Sequence, residues 1–385
     1  MKHLWRTRQL YTYEDSSVER RRATWLELFY DLVFVTAIAE LSNNLDRNVS
    51  LLGLCEFIAL FTPVWWCWVG TTFYATRFGM GDIGDRLLTL LQMALVVPLA
   101  VNVHQGLESS SVGFAICYSA MRCVLIIQYL IAGYQVVGAR CLTVRYAQGF
   151  GIGAALWLVS ILIPVPWRFA LWTLGLIVDF ATPFSMRQLM TQAPPNISHI
   201  SERLGLFIII VLGESVVAVV RGVTEQEWST GSILTAGLGL SLAFSLWWIY
   251  FDLLDSSPLQ AVKLDRPHIS LLWLYIHLPL AIGLTAIGVG VEHIVSKEAG
   301  VTLLDAERWL FCGSVALCLT ALAAINQMTC SRRNRHCWTL GLYRLGGAVS
   351  ILTLAASSSR LSALTLVALT TVICVVQVFL GLKGG

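Results

Sequence analysis

Twelve apolar stretches of about twenty residues, each long enough for a helix to cross the hydrocarbon core of a bilayer, follow one another along the chain. They lie near 24–42, 51–74, 86–102, 113–136, 147–164 and 168–186, then near 203–221, 231–254, 270–291, 308–326, 339–356 and 361–381. Charged residues fall mainly in the short segments between them. The runs are too long, and alternate too little, for the strands of an outer-membrane barrel. The pattern predicts an all-α polytopic membrane protein with about twelve transmembrane helices.

The two groups of six stretches resemble each other. Leu26, Leu28 and Phe29 of the first recur in phase as Leu204, Leu206 and Phe207 of the seventh. Trp65-Trp66 answers to Trp247-Trp248, VPLA at 97–100 to LPLA at 278–281, and Arg168 to Arg360. An even number of spans per half makes this a parallel 6+6 repeat with its axis along the membrane normal, an arrangement that transporters use. The expected organisation is a polar N-terminal segment (1–23), a first six-helix half (24–186), a linker (187–202) and a second half (203–381).

Composition supports the bilayer as the main partner. Hydrophobic residues make up 56% of the 385 and charged residues 13%, against about 25% charged in soluble domains. Mean hydropathy is +0.71. The ten cysteines form no C-x-x-C pair, and no G-x-x-x-x-G-K-S/T loop occurs. No zinc site, disulfide framework, ATP hydrolysis or cofactor is therefore indicated. The first 22 residues are polar and do not read as a cleaved signal peptide. Arg332, Arg333 and Arg335 read as loop charges and not as a nucleic-acid site.

With the N-terminus in the cytoplasm, Arg47, Arg168, Arg221, Lys297, Arg308 and Arg360 fall outside and Arg122 falls within a span. The other nineteen of the 26 basic residues fall inside. That is the positive-inside bias, and it predicts an inner-membrane protein with both termini cytoplasmic.

Charges inside the spans carry the candidate chemistry, because each costs about 2.5–3.5 kcal/mol at mid-bilayer unless it has a partner or a task. Glu27 and Asp31 lie four apart, on one face of the first span. Arg122 stands in the middle of the fourth span, keeps its proton and needs a carboxylate. Asp31, Asp179 and Glu214 are the candidates. Pro183 loosens the helix one turn after Asp179, and Gly213 beside Glu214 permits close helix approach. His277 is the histidine of the ninth span, with packing or a proton relay as its two readings. Gly149 and Gly153 form a small-residue packing face. Trp65, Trp66, Trp68, Trp247 and Trp248 lie deep enough to line a cavity.

Two long segments, TWLELFYDLVFV (24–35) and ERLGLFIIIVLGES (202–215), resemble the signature segments of the bacterial low-temperature-requirement A family. YATRF (74–78) with Asp82 and Arg86, Tyr118 with Arg122, Asp179 with Pro183, and YIHLPLAIG (275–283) agree with it. The resemblance spans roughly residues 20–381 and is weakest in the last three spans. Tyr30 stands where the family often has Phe. The resemblance implies a multi-spanning membrane protein, linked by its family name to growth in the cold. It also points to Glu27, Asp31, Arg77, Arg86, Arg122, Asp179, Glu202, Arg203, Glu214 and His277, with Arg77, Arg86, Glu202 and Arg203 forming a cytoplasmic-side charge network.

Three functions compete. A proton-linked secondary transporter or permeation protein would use the embedded acids to carry a proton, with a proton or small molecule as substrate. An intramembrane enzyme would use an acid on a lipid or isoprenoid. A structural protein would use the ion pairs only to hold helices. The first is the expectation, with no catalytic residue or metal ligand assigned; oligomeric state is not legible in the sequence.

Overall fold

A computed structural model of the chain describes residues 23–79, 82–190, 196–225, 230–252, 267–297, 300–329, 335–357 and 360–382. All of the N-terminal segment but residue 23, the middle of the 187–202 linker, and Arg332 and Arg333 lie outside these residues. The described residues form twelve long helices: α1 (Trp25–Arg47), α2 (Leu51–Phe78), α3 (Ile83–Val101), α4 (Ser111–Gln135), α5 (Arg140–Ser160), α6 (Trp167–Ser185), α7 (Ile197–Glu225), α8 (Thr230–Phe251), α9 (Pro267–Val295), α10 (Asp305–Thr329), α11 (Arg335–Ser357) and α12 (Ala363–Leu382). Short helical turns at Val137–Ala139 and Arg187–Met190 complete the set. Among the described residues the only extended pairing is one isolated bridge between Thr302 and Ser362.

Each helix coincides with one expected stretch. Nine of them, α2 to α4 and α7 to α12, are long and apolar enough to cross a membrane. The other three fall short of that mark, α1 with Glu27, Asp31, Glu40 and Asp46 along its length. Exposure is inverted relative to a water-soluble protein. Leu87, Leu90 and Val97 of α3 and Val372, Val376 and Phe379 of α12 lie on the outside, while Glu27, Asp31, Arg122, Asp179 and Arg203 are at most 1% exposed. Apolar atoms facing outward and charges facing inward suit hydrocarbon as the surrounding solvent.

Local chemistry sets the helix ends. Gly79, with φ of 71°, ends α2 in the left-handed conformation that glycine adopts without strain. Asp82 then caps α3 by accepting a hydrogen bond from the Asp85 amide at 2.6 Å. Asn196 does the same for α7 by accepting from the His199 amide at 3.2 Å. This cap starts α7 six residues before the expected 203, and it puts His199 and Arg203 on one helix face.

The chain divides into two compact units. Of the described residues, the first comprises those within 1–41, 59–204 and 262–271, the second those within 42–58, 205–261 and 272–385. In the first, α4 packs on α3 and on α5, and α5 packs on α6. Small residues permit the closest of these approaches. A methyl at Gly149 would meet Thr182 Oγ1 at 2.3 Å, and one at Gly153 would meet Asp179 Oδ1 at 2.6 Å. The expected glycine face is thus the seat of α6. In the second unit α10 packs on α11, α11 on α12, and α12 on α8.

Candidate functional site

Four ionisable side chains from two helices meet in the first unit. Glu27 and Asp31 are one turn apart on α1, and His199 and Arg203 are one turn apart on α7. The two pairs have the same i,i+4 spacing, so both acids of one helix face both bases of the other. Arg203 grips Asp31 with two prongs, Nε to Oδ2 at 3.0 Å and Nη2 to Oδ1 at 2.5 Å. Its Nη1 lies 3.6 Å from Glu27 Oε1. His199 Nε2 lies 3.4 Å from Glu27 Oε2. From α2, the Trp68 indole donates to Asp31 Oδ1 at 2.7 Å. All five side chains are essentially sealed from solvent.

Glu27 also has a structural task. The Thr24 amide and hydroxyl both donate to Glu27 Oε2, at 2.7 and 3.0 Å, and the Glu27 amide donates back to the Thr24 hydroxyl at 3.3 Å. This is a capping box at the start of α1. Asp31 has no such duty, and its carboxylate is held entirely by groups from other helices. The charge balance of the cluster is informative. Two carboxylates and one guanidinium leave a net charge of minus one, which a low-dielectric interior disfavours. One proton, taken up anywhere in the cluster, brings it to zero.

A second centre in the same unit joins α4 and α6. Arg122 Nη2 lies 3.1 Å from Asp179 Oδ2, and Arg122 Nε donates to the Tyr118 hydroxyl at 3.1 Å. That hydroxyl donates onward to Asp179 Oδ2 at 2.5 Å. The guanidinium lies over the rings of Trp66, Tyr118 and Phe150, 5.1 to 5.7 Å from their centroids, a cation–π enclosure. A methyl at Gly70 of α2 would come within 2.9 Å of Arg122 Nη1. One cation and one anion balance here without a proton. Tight glycine walls and a closed charge account make this centre a lock between helices.

The remaining expected residues separate. Glu214 pairs with Arg221, seven residues on along α7, at 3.0 Å, and Arg221 also approaches Glu292 of α9 at 3.6 Å. The three acids proposed for Arg122 therefore have different partners: Asp31 takes Arg203, Asp179 takes Arg122, and Glu214 takes Arg221. His277 is fully buried, with Nδ1 2.8 Å from the Trp273 carbonyl and Nε2 3.1 Å from the Tyr250 hydroxyl. That is a ring satisfied within its own packing. Arg77 is buried against the faces of Phe73 and Tyr146. Arg86 and Glu202 are exposed, so of the four residues expected to form a charge network only Arg203 enters the buried cluster.

Sequence reasoning missed His199, Arg221, Glu292 and the bond from Trp68, a tryptophan expected only to line a cavity, to Asp31. Two of these had a readable signal. Glu214 and Arg221 are two turns apart, hence on one helix face, and His199 stands one turn before Arg203 behind a capping asparagine. The contacts of Trp68 and Glu292 join segments far apart in sequence and leave no local trace. Among the described residues, no group of three or more His, Cys, Asp or Glu side chains is arranged to hold a metal ion.

Comparison with known proteins covers both centres. The family profile described as "Bacterial low temperature requirement A protein (LtrA)" matches residues 22–379. An uncharacterized protein of Rhizobium meliloti (strain 1021) is 27% identical over 288 residues, 72% of this chain and 70% of that one. No solved structure matches the chain.

Proposed function

The chain belongs to the bacterial low temperature requirement A family, and from that premise we propose that it is a proton-linked secondary transporter or permeation protein of the inner membrane. The charge account of the Glu27–Asp31–His199–Arg203 cluster carries this reading. A buried group of charges that balances only with an added proton is a carrier site for that proton, and intramembrane acids paired with histidine or arginine serve this use in pumps and transporters. Asp31 is the residue whose charge changes, because its ligands can all be exchanged; Arg203 is the group that swings between Asp31 and Glu27. The lock of Arg122 on Asp179 holds α4 against α6 while this happens.

In this proposal all twelve helices cross the membrane, the halves 24–186 and 203–381 are parallel repeats, and both termini are cytoplasmic. The nineteen basic residues on the inner side support the orientation. A reporter enzyme fused after Lys383 is expected to be active in its cytoplasmic form; activity of a periplasm-dependent reporter there would overturn the orientation.

The transport assay uses purified protein in proteoliposomes enclosing a pH-sensitive dye. A pH gradient is expected to collapse faster with protein than without it, and Asp31→Asn, which keeps the shape and removes the charge, is expected to lower that rate at least tenfold. Equal rates for the two proteins would end the assignment of Asp31.

One observation favours the lipid or isoprenoid reading. In the second unit, α7, α8 and α12 enclose an open groove of about 700 Å³ lined by Phe244, Trp247, Trp248 and Phe379, within the size range of ligand sites. Its hydroxyls, Ser241 and Ser245, donate to carbonyls of their own helix. With no titratable group in its lining, the groove can seat a hydrocarbon chain but has no acid with which to cleave or rearrange one.

A further inference from the structure

In the second unit, helix ends meet around a histidine that the transport reading does not use. His293, in the last turn of α9, directs Nε2 at Asp46 Oδ1 in the last turn of α1, at 3.0 Å. The same nitrogen lies 3.3 Å from the Asp46 carbonyl oxygen. Nδ1 faces Glu307 Oε1 in the first turn of α10, at 3.4 Å. Both ring nitrogens therefore face acceptors only. A neutral imidazole has one N–H and one lone pair in either tautomer, so one nitrogen would point its lone pair at a carboxylate. The imidazolium donates from both.

We propose that Asp46, His293 and Glu307 form a proton-binding site, and that the bound proton ties α1, α9 and α10 together at this end of the second unit. The charges around it draw a cation in. Lys297, just beyond α9, pairs with Glu307, whose Oε2 also accepts from the Leu304 amide at 3.0 Å. Next to His293, Glu292 shares Arg221 of α7 with Glu214. Arg308 of α10 pairs with Asp305 at 2.8 Å and donates to the Ala355 carbonyl of α11. Setting that closed pair aside, Asp46, Glu214, Glu292 and Glu307 stand against Arg221, Lys297 and the exposed Arg47 beside Asp46, and a fourth cation closes the deficit. The site is open to its ligand, since the side chains of His293 and Asp46 are 23% and 37% exposed. It stands whether or not the protein moves protons across the membrane.

The test is nitrogen magnetic resonance on the full-length protein in lipid nanodiscs, with its histidines labelled at both ring nitrogens. The His293 signals are assigned by their loss in His293→Gln or, should that variant not accumulate, by their displacement in Asp46→Asn. At neutral pH both nitrogens are expected at imidazolium positions. Asp46→Asn, at a partly exposed residue, is expected to convert the ring to a neutral single tautomer, with loss of the imidazolium signal, and Glu307→Gln to do the same. A neutral His293 in the unaltered protein would overturn the proposal, as would an imidazolium signal unchanged in both carboxylate variants.

Discussion

Arg203→Met is expected to remove most of the folded protein from the membrane. Arg203 touches both Glu27 and Asp31 at ion-pair distance, and both acids are at most 1% exposed. Removing one member of a buried ion pair costs about 3–5 kcal/mol, because the partner stays behind as an uncompensated charge. Total stabilities run to only about 5–15 kcal/mol, so a loss of this size is a large share. Thermal unfolding in detergent, followed by the remaining monodisperse fraction, measures it. The double variant Arg203→Met with Asp31→Asn separates charge from packing, since it removes the stranded carboxylate together with its partner. It is expected to recover more than half of the loss. A single variant that melts within about 1 kcal/mol of the unaltered protein would show that Arg203 does not hold these acids.

Arg122→Leu is expected to be nearly as damaging. It leaves Asp179 with Tyr118 as its remaining hydrogen-bond donor and opens space between the rings of Trp66, Tyr118 and Phe150. The same argument puts the cost at about 3–5 kcal/mol, with loss of proton flux and a carboxyl group that takes up a proton to stay buried. Arg122→Lys keeps the charge but not the planar fork, and is expected to retain part of both stability and flux. Arg122→Leu combined with Asp179→Leu removes both charges and is expected to melt close to the unaltered protein. Its flux then distinguishes two roles: recovery would make the pair a fastening, whereas stable but inactive protein would make it part of the transport path. Leucine at 122 with unaltered stability would refute the lock.

The helices were legible in the sequence because each is a simple statement about solvent: twenty apolar residues have no other place to go. The need of Arg122 for a carboxylate was legible for the same reason. Its identity was not, because Asp31, Asp179 and Glu214 are equivalent acids in sequence and are told apart only by which helix lies beside α4. Arg203 was read as one of several cytoplasmic-side charges because the seventh span was started at 203. The cap at Asn196 lengthens that helix and brings His199 and Arg203 within it, so a two-base face appears opposite a two-acid face. Arg221 was counted with the outer loops for want of the same extra turns. His277, flagged on membrane cost, was explained by the Trp273 carbonyl and the Tyr250 hydroxyl. His293, close to the end of its span and therefore inexpensive, drew no attention at all. Cost of burial finds the centre of a span well and its ends poorly.

The walls around Arg122 constrain the order in which this protein can change. Gly70 on α2 faces the guanidinium itself, and Gly153 on α5 faces the carboxylate that the guanidinium holds. While arginine stands at 122, an alanine at either glycine meets a filled space and costs about 1–3 kcal/mol of overpacking. Once a lineage has lost the long side chain at 122 and the acid at 179, the alanine at 153 fills what has become empty and turns favourable, while the one at 70 still meets Leu125 Cδ2 at 2.7 Å. Substitutions at 70, 122, 153 and 179 are thus non-additive, and a descendant that reaches alanine first has taken the uphill step. Four positions on four helices are inherited as one character, with a preferred sequence of loss and little prospect of reversal.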